Sequence, residues 1–519
     1  METHGRAPTL RWTEPIPATR RRIIMFPMPF QGHINPMLQL ANILHTQGFK
    51  ITIIHTEYNS PNQSNYPHFT FKSFPDRFSE VINQLPVKDP SFYVKYLNSS
   101  SVDPFRNCLA GLLAEEPVTC LITDGGMYFT QAVADELKIP RLVLRTSSLG
   151  CGVAYGFLPV SSEKGYFDLP KDDYETSVPE YPLLKVKDII KISTNPQGMI
   201  EFVTNMHNQM KASSGIIWNT FKELEESELQ IICEDFPVPI FTLGPLLKYF
   251  SASSSSLIEQ DRTVISWLDT QAPKSVIYVS FGSVVRITES EFQEMAHGLA
   301  NTGLPFLWVV RPGVVSGSEW LESLPEKFLE IVGDKGCIVK WCPQQEVLAH
   351  PATGCFWTHN GWNSTLESIC EGVPMVCSPC LADQPIIARY VCDVWKIGVL
   401  LENGFERVEI EMAIKRVMID EEGDGIRKNI HCLKEKVDLS LTEGGSSHES
   451  LKNLDYDHLN LYSIVYIVKI GLIKTYKSFF HFVSLENGDH RKTYHSPVDS
   501  SDGNSPENHF VSDAFPGSY

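Results

Sequence analysis

Residues 341–384 read W-C-P-Q-Q-E-V-L-A-H-P-A-T-G-C-F-W-T-H-N-G-W-N-S-T-L-E-S-I-C-E-G-V-P-M-V-C-S-P-C-L-A-D-Q. Aromatic, amide, imidazole and carboxylate groups recur there around one glycine turn. Trp341 closes an apolar strand, and its indole offers a platform on which a planar base stacks, an interaction worth ~1–3 kcal/mol. The turn His359-Asn360-Gly361-Trp362-Asn363-Ser364 runs into a helix over Ser364–Glu371. The free N–H groups and dipole of that helix start suit a diphosphate, with His359 and Ser364 adding hydrogen bonds. Glu367 lies one turn along, where it can accept from ribose hydroxyls. Asp383-Gln384 opens the next helix and joins an acceptor-only group to a donor–acceptor amide, a pair suited to vicinal sugar hydroxyls. Taken singly, Trp341 reads as core and Ser364 and Asp383 as helix caps. Together they describe a site for a nucleotide-activated sugar.

Around this segment the pattern is strand, helix, strand. Strands are expected at Ser275–Phe281, Phe306–Val310 and Cys337–Lys340, and helices near Glu289–Ala300, Gln344–Ala349, Gln384–Cys392 and Glu409–Ile419. An equivalent series fills the N-terminal half: Ile23–Met28, a helix around Asn35–Leu44, Lys50–His55, Val118–Thr123, a helix over Tyr128–Leu137, Arg141–Leu144 and Gly215–Asn219, with Phe221–Leu229 read as a helix. Such alternation implies parallel sheets covered on both faces by helices. A chain of 519 residues also exceeds the ~250–300 at which single cores stop growing. The expected organisation is therefore α/β, two doubly wound domains. A flexible arm covers 1–22, the first domain 23–250, a serine-rich linker 251–261, the second domain 262–451 and an atypical tail 452–519. Within the tail, Leu459–Val483 is apolar but interrupted by Lys469, Lys474 and Lys477, too short a run for a span of ~20 residues. It reads as a membrane-surface helix, an added structural helix or a non-native end, and composition does not choose among them. Ser484–Tyr519 is polar and expected to be disordered.

The net charge of -18 argues against nucleic-acid binding, which needs clustered Lys and Arg to neutralise phosphates. The arm has no uninterrupted apolar stretch of the signal-peptide kind. The 12 cysteines are scattered, many in apolar runs, which fits reduced cytoplasmic thiols rather than a disulfide framework. Cys377 and Cys380 form a lone C-x-x-C without the second pair or context that a zinc or redox role requires.

In the first half, Gly32-His33 sits where a strand gives way to a helix, outside the carboxyl end of the strand, where open α/β sheets bind ligands. A helix N-terminus disfavours a positive ring, so this imidazole suits a proton acceptor. Asp124 ends another apolar strand (L-I-T-D) and can orient the other ring nitrogen. The plainer reading, a turn histidine and a capping aspartate, stays open on position alone. The sequence has no G-x-G-x-x-G, no G-x-x-x-x-G-K-[ST] and no H-E-x-x-H. Its one D-x-D, Asp455-Tyr456-Asp457, lies at the edge of the tail, so the diphosphate is expected to rest on helix and side chains with no metal and no separate cofactor.

At these residues the chain resembles plant family 1 UDP-dependent glycosyltransferases, in particular the group containing steviol-glycoside glucosyltransferases. The 341–384 segment matches that family's signature box at nearly every defining position. Phe30–Pro36 matches its catalytic-histidine segment, and Ser280–Ser283 its phosphate-contacting turn. The resemblance covers Ile23 to about Leu451 and implies a GT-B fold, two Rossmann-like domains facing a cleft. It implies His33 as base and Asp124 as its partner. It places Trp341 on uracil, Gln344 and Glu367 near the nucleoside, and Ser283, His359, Asn363 and Ser364 on the diphosphate. Trp362, Asp383 and Gln384 fall on the sugar, with Thr146 near its 6-hydroxyl; Cys342 and Gly361 complete the set. Gln384 and Trp362 in these places usually accompany glucose, so UDP-glucose is the expected co-substrate. Ile387 and Asn360 depart from the common Asn and Ser or Cys, and the tail departs fully. Relatives end with a helix that returns to the first domain.

The acceptor is expected to be a small hydrophobic terpenoid or phenolic, or its glycoside. Gly126, Met127, Ser147 and Leu149 follow strand ends and are the expected lining. The expected protein is a cytoplasmic monomer without a stable membrane span. The rival readings are a UDP-sugar-binding pseudoenzyme whose activity the atypical tail impairs, and a membrane-associated scaffold governed by Leu459–Val483.

Overall fold

Short apolar runs rich in Ile, Val and Leu lose both faces to burial when they join a parallel sheet, and those runs form the strands here. The computed structural model describes residues 22–82, 89–250, 256–454 and 459. All of them fall in one compact unit.

The first sheet holds β1 (Arg22–Phe26), β2 (Lys50–Thr56), β3 (Thr70–Phe74), β4 (Cys120–Asp124), β5 (Arg141–Arg145), β6 (Gly215–Trp218) and β7 (Ile240–Thr242), ordered β3-β2-β1-β4-β5-β6-β7. The second holds β8 (Val276–Ser280), β9 (Phe306–Val309), β10 (Gly336–Val339), β11 (Thr353–Thr358), β12 (Met375–Cys377) and β13 (Gly398–Leu400), ordered β10-β9-β8-β11-β12-β13. Every pairing is parallel. These are two doubly wound α/β domains, the GT-B arrangement. In each sheet the strand order reverses once, between β1 and β4 and between β8 and β11. At such a switch point the next helices leave to opposite faces and open a crevice beyond the strand ends. Phe26 registers with Thr123 in the first sheet and Ser280 with Thr358 in the second, so the segments after these four strands flank the two crevices.

Three local differences from the expectations have physical causes. The first helix begins at Gln31 rather than near Asn35, with Pro36 inside it. Proline donates no hydrogen bond to the carbonyl four residues back, which frees the Gly32 oxygen. Residues 221–225 form turns, and the helix runs from Glu226 to Asp235. Glu225 turns inward, where its carboxylate accepts the Gly150 N–H at 2.9 Å and the Thr220 hydroxyl at 2.6 Å. The helix Ser446–Asn453, counted with the second domain by a boundary at 451, packs on the first. Leu451, Leu454 and Leu459 join the core of Ile23, Leu40 and Ile51, and the Ser447 hydroxyl donates to the Gly244 carbonyl at 2.6 Å. Among the described residues no helix is long and apolar enough to cross a membrane. The expectations for 1–21, 251–255 and most of the tail lie outside the described residues.

Candidate active site

The two crevices open into one cavity of about 360 Å3. On the first-domain side, His33 occupies the first turn of the helix after β1, and Asp124 is the last residue of β4. His33 Nδ1 lies 2.7 Å from Asp124 Oδ2 and 3.0 Å from Thr146 Oγ1. The other oxygen of Asp124 accepts the Gly126 N–H at 2.8 Å. Burial alone would raise the Asp124 pKa. The neighbouring His33, the Gly126 N–H and the Arg145 charge outweigh it and hold this carboxyl below its usual value. An ionised acceptor beside Nδ1 fixes the imidazole proton on that nitrogen. Nε2 is then a lone-pair acceptor on a ring that lines the cavity and is 29% exposed.

On the opposite wall, Trp341 lines the cavity at the end of β10, half-buried, its indole N–H donating to Ser256 Oγ at 3.1 Å. Cys342 is buried beneath it, its Sγ 3.5 Å from the Tyr278 hydroxyl; burial pushes its thiol up to about 12. Gln344 donates to Glu367 at 2.6 Å and Ser364 at 3.0 Å, while its own carbonyl accepts the Tyr278 hydroxyl at 3.0 Å. Gln345 donates to the other oxygen of Glu367 at 3.1 Å. Burial raises the Glu367 pKa against these two amides. Ser364 accepts from Gln344, so its hydroxyl proton remains available to a ligand.

Between them lies the switch point of the second sheet. The helix after β11 runs Trp362–Glu371 behind an N-cap Gly361 with no side-chain cap, leaving its first N–H groups for an anion. His359 is buried against this turn, and burial lowers its pKa to about 4, so it is neutral at physiological pH. Two glycines make room for the ring: a Cβ on Gly282 would lie 2.7 Å from it, and one on Gly361 2.6 Å from Nε2. Gly282 also holds φ +65°, a left-handed conformation that costs glycine little. Arg311 holds this Gly282–Val285 turn by donating to the carbonyls of both residues, and Ser283 lines the cavity beside it. Asn360 is left-handed at φ +62° and gives its amide N–H to Cys377 Sγ at 3.1 Å.

Two side chains expected on the donor also reach across the cleft. Asn363 Nδ2 donates at 2.6 Å to the Gly32 carbonyl that Pro36 frees. The Trp362 ring is buried, and its N–H is taken by the Asn219 carbonyl at 2.8 Å. Asp383 and Gln384 line the cavity. Gln384 Oε1 accepts the N–H groups of Cys380 and Leu381 at 2.9 and 3.1 Å, which leaves its amide N–H groups for a ligand. Burial raises the Asp383 pKa, opposed by Arg145 and His33.

Of the four residues expected to line an acceptor pocket, two lie on the cavity. Gly126 and Ser147 line the cavity. Met127 and Leu149 do not: both are fully buried in hydrophobic cores. The apolar wall comes instead from Met28, Tyr93, Val94, Tyr155, Met199 and Phe202. Several of these lie on the helices Pro90–Ser100 and Pro196–Lys211, which the sequence pattern alone does not assign to the site. Arg145 is a further residue that sequence reasoning missed, although it ends β5 as Asp124 ends β4, and that signal was available. Among the described residues no group of three or more His, Cys, Asp or Glu is arranged to hold a metal ion.

Known proteins share this architecture and sequence. The family described as UDP-glucoronosyl and UDP-glucosyl transferase matches residues 230–434. The UDP-glycosyltransferase 76G1 of Stevia rebaudiana is 54% identical over 452 residues, 85% of this chain and 98% of that protein. Os79 from O. sativa in complex with UDP superposes with a TM-score of 0.73 at 29% identity, covering 85% of this chain and 100% of that one. Phytolacca americana UGT2, complexed with UDP-2-fluoro-glucose and pterostilbene, gives 0.70 at 26% over the same shares. With one crevice carrying a carboxylate-backed histidine, the other an uncapped helix start beside a tryptophan, and identity to a relative that extends over nearly its whole length, this chain belongs to the plant family 1 UDP-glycosyltransferases.

Proposed function

We propose that this glycosyltransferase moves glucose from UDP-glucose to a hydroxyl or carboxyl of a small hydrophobic metabolite, a terpenoid or phenolic or its glycoside, in one inverting displacement. His33 Nε2 takes the proton of the acceptor hydroxyl as its oxygen bonds to the anomeric carbon. The bond from that carbon to the diphosphate breaks on the far side, and UDP leaves with the electron pair. Asp124 stabilises the imidazolium formed. A single displacement inverts the anomeric centre. The charge growing on UDP falls to the N–H groups of the helix Trp362–Glu371 with Ser283, His359, Asn363 and Ser364, and the reading includes neither metal nor further cofactor.

The observation that carries this proposal is that the His33–Asp124 pair, at 2.7 Å, and that helix start open on the same cavity from opposite domains. The fluoroglucose nucleotide bound by the Phytolacca relative supports glucose as the donor sugar, and the aromatic and thioether wall supports a hydrophobic acceptor. The cavity is complete within one chain, which favours a monomer. Twelve free cysteines favour a reducing, cytoplasmic setting. The seating of Ser446–Asn453 on the first domain speaks against a pseudoenzyme in which the tail displaces that helix.

The test is UDP release from UDP-glucose with and without a panel of hydroxyl and carboxyl acceptors, with products identified by mass spectrometry. Acceptor-dependent release with a hexosylated product is expected. UDP release that ignores every acceptor, with no glycoside formed, would remove the proposal.

A further inference from the structure

Arg311, just beyond β9, braces the turn that carries Ser283. Its Nε donates to the Gly282 carbonyl at 3.2 Å and a terminal N–H donates to the Val285 carbonyl. A trans peptide points its N–H opposite its C=O. Holding the Gly282 oxygen therefore turns the Ser283 N–H away from Arg311, and among the described residues no acceptor takes that N–H. Gly282 in turn lies against the His359 ring, 2.7 Å from where its Cβ would stand. Ser283 and His359 both line the cavity, and Arg311 does not.

The charges on this turn are like in sign. Half-buried cations are ordinarily paired, because desolvating an unpaired one is costly. The two carbonyls satisfy N–H groups of Arg311 without neutralising it. Among the described residues it forms no ion pair, and the charge that acts on it is a second guanidinium, Arg286, one residue beyond the turn. Burial and then Arg286 lower the Arg311 pKa to about 10, which leaves it charged at neutral pH. Arg286 is exposed, and its field reaches Tyr58 and Tyr93, phenols that are neutral at that pH. Two cations thus flank one turn, an arrangement that costs the empty protein and that an anion in the cleft relieves. The field of Arg311 extends to His359, whose pKa it lowers further after burial.

We infer that Arg311 is a positioning residue for the diphosphate, aiming the Ser283 N–H at a phosphate oxygen and supplying through the turn a fixed positive charge that Arg286 reinforces. The inference rests on the donor site proposed above and adds the source of its countercharge. With one peptide group between them, guanidinium and phosphate stand about 8–10 Å apart. At an effective dielectric of 20, a charge across that gap is worth about 20-fold per unit of phosphate charge, less where solvent screens the open cleft. UDP gains negative charge as it leaves, so the same field assists the transfer step.

The experiment titrates the full chain calorimetrically with UDP and with uridine, which shares base and ribose but carries no phosphate. Arg311→Gln should weaken UDP by about 10–100-fold and uridine by less than about 2-fold. Arg311→Lys keeps the charge without the planar fork and should recover at least about 3-fold of the UDP loss. Arg286→Glu, on an exposed side chain, sets a carboxylate beside Arg311 and should weaken UDP by about 3–10-fold, again sparing uridine; it decides the matter should Arg311→Gln fail to fold. A UDP loss matched by uridine means that the turn is merely damaged and overturns the inference. So does a UDP loss under about 3-fold in Arg311→Gln, a Lys variant no better than the Gln variant, or an Arg286→Glu that binds UDP as the wild type does. Each of these leaves the transferase intact. Equal binding of UDP and uridine by the wild type overturns the diphosphate site, and with it the donor reading on which the inference rests.

Discussion

Replacing Asp124 by Asn removes a charge without removing volume, and the geometry sets the size of the effect. Asp124 is 1% exposed and 2.7 Å from His33 Nδ1. When the ring takes a proton in the transition state, two opposite charges face each other about 4 Å apart between centres, worth about 4 kcal/mol at an effective dielectric of 20. At 1.36 kcal/mol per decade this bounds the loss near 10³-fold. Asn also donates an N–H to Nδ1, which would leave the ring proton on Nε2 and no base toward the acceptor. Thr146 Oγ1, at 3.0 Å from the same nitrogen, can accept in its place and preserve part of the working tautomer. The expected result is a fall in kcat of about 10²–10³-fold, with the KM for UDP-glucose changed less than about 3-fold, because Asp124 acts only as charge develops. Initial-rate product assays with both substrates saturating measure it. Asp124 works through His33, so Asp124→Asn added to His33→Ala should cost little more than His33→Ala alone. A loss under about 10-fold, or full additivity in the double variant, would refute the reasoning.

Trp341→Ala should raise the KM for UDP-glucose by about 5–100-fold, the equivalent of one lost base stack, with a smaller change in kcat; Trp341→Phe should fall between, as initial rates against UDP-glucose will show. Arg389 joins the domains through Asp188 at 2.8 Å and also binds the partly exposed Glu402 at 2.9 Å; Arg389→Met strands the buried Asp188 carboxylate and should cost about 3–5 kcal/mol in urea unfolding. Glu225 is buried and its pKa is raised by burial from 4.5 to about 7, against the donors at Gly150 and Thr220. The folded state therefore holds a proton that the unfolded chain releases, and stability should decline by up to ~3 kcal/mol as pH rises from 4.5 past 7. Glu225→Gln should flatten that decline in urea midpoints measured across the range.

What could be read from the sequence was what depends on local pattern. Buried parallel strands announce themselves as apolar runs, and His33 and Asp124 were legible because both sit at strand ends beside a switch point. The 341–384 segment was legible because its groups are held in order along one strand, one turn and two helices. The strand Thr70–Phe74 was missed because it is an edge strand carrying a lysine, with four of its five residues incompletely buried in a non-alternating pattern. The apolar wall of the cavity was missed because helices 90–100 and 196–211 lie far apart in the chain and meet only in the fold. Met127 and Leu149 were misread for the same reason: a place just beyond a strand end brings a backbone near the cleft but does not decide which way a side chain turns. Nor does sequence reveal that Pro36 frees the carbonyl that Asn363 grips from the other domain, or that the Trp362 indole is committed to Asn219.

The central claim is that one cavity sets the His33 ring against the anomeric carbon of a uridine-linked sugar. A crystal structure with UDP-2-fluoro-glucose tests it most directly. Expected are uracil stacked on Trp341, the diphosphate at the N-terminus of the helix Trp362–Glu371, and the anomeric carbon within about 6–7 Å of His33 Nε2, room for one acceptor oxygen between them. A nucleotide bound away from Trp341, or an anomeric carbon facing away from His33, would contradict it.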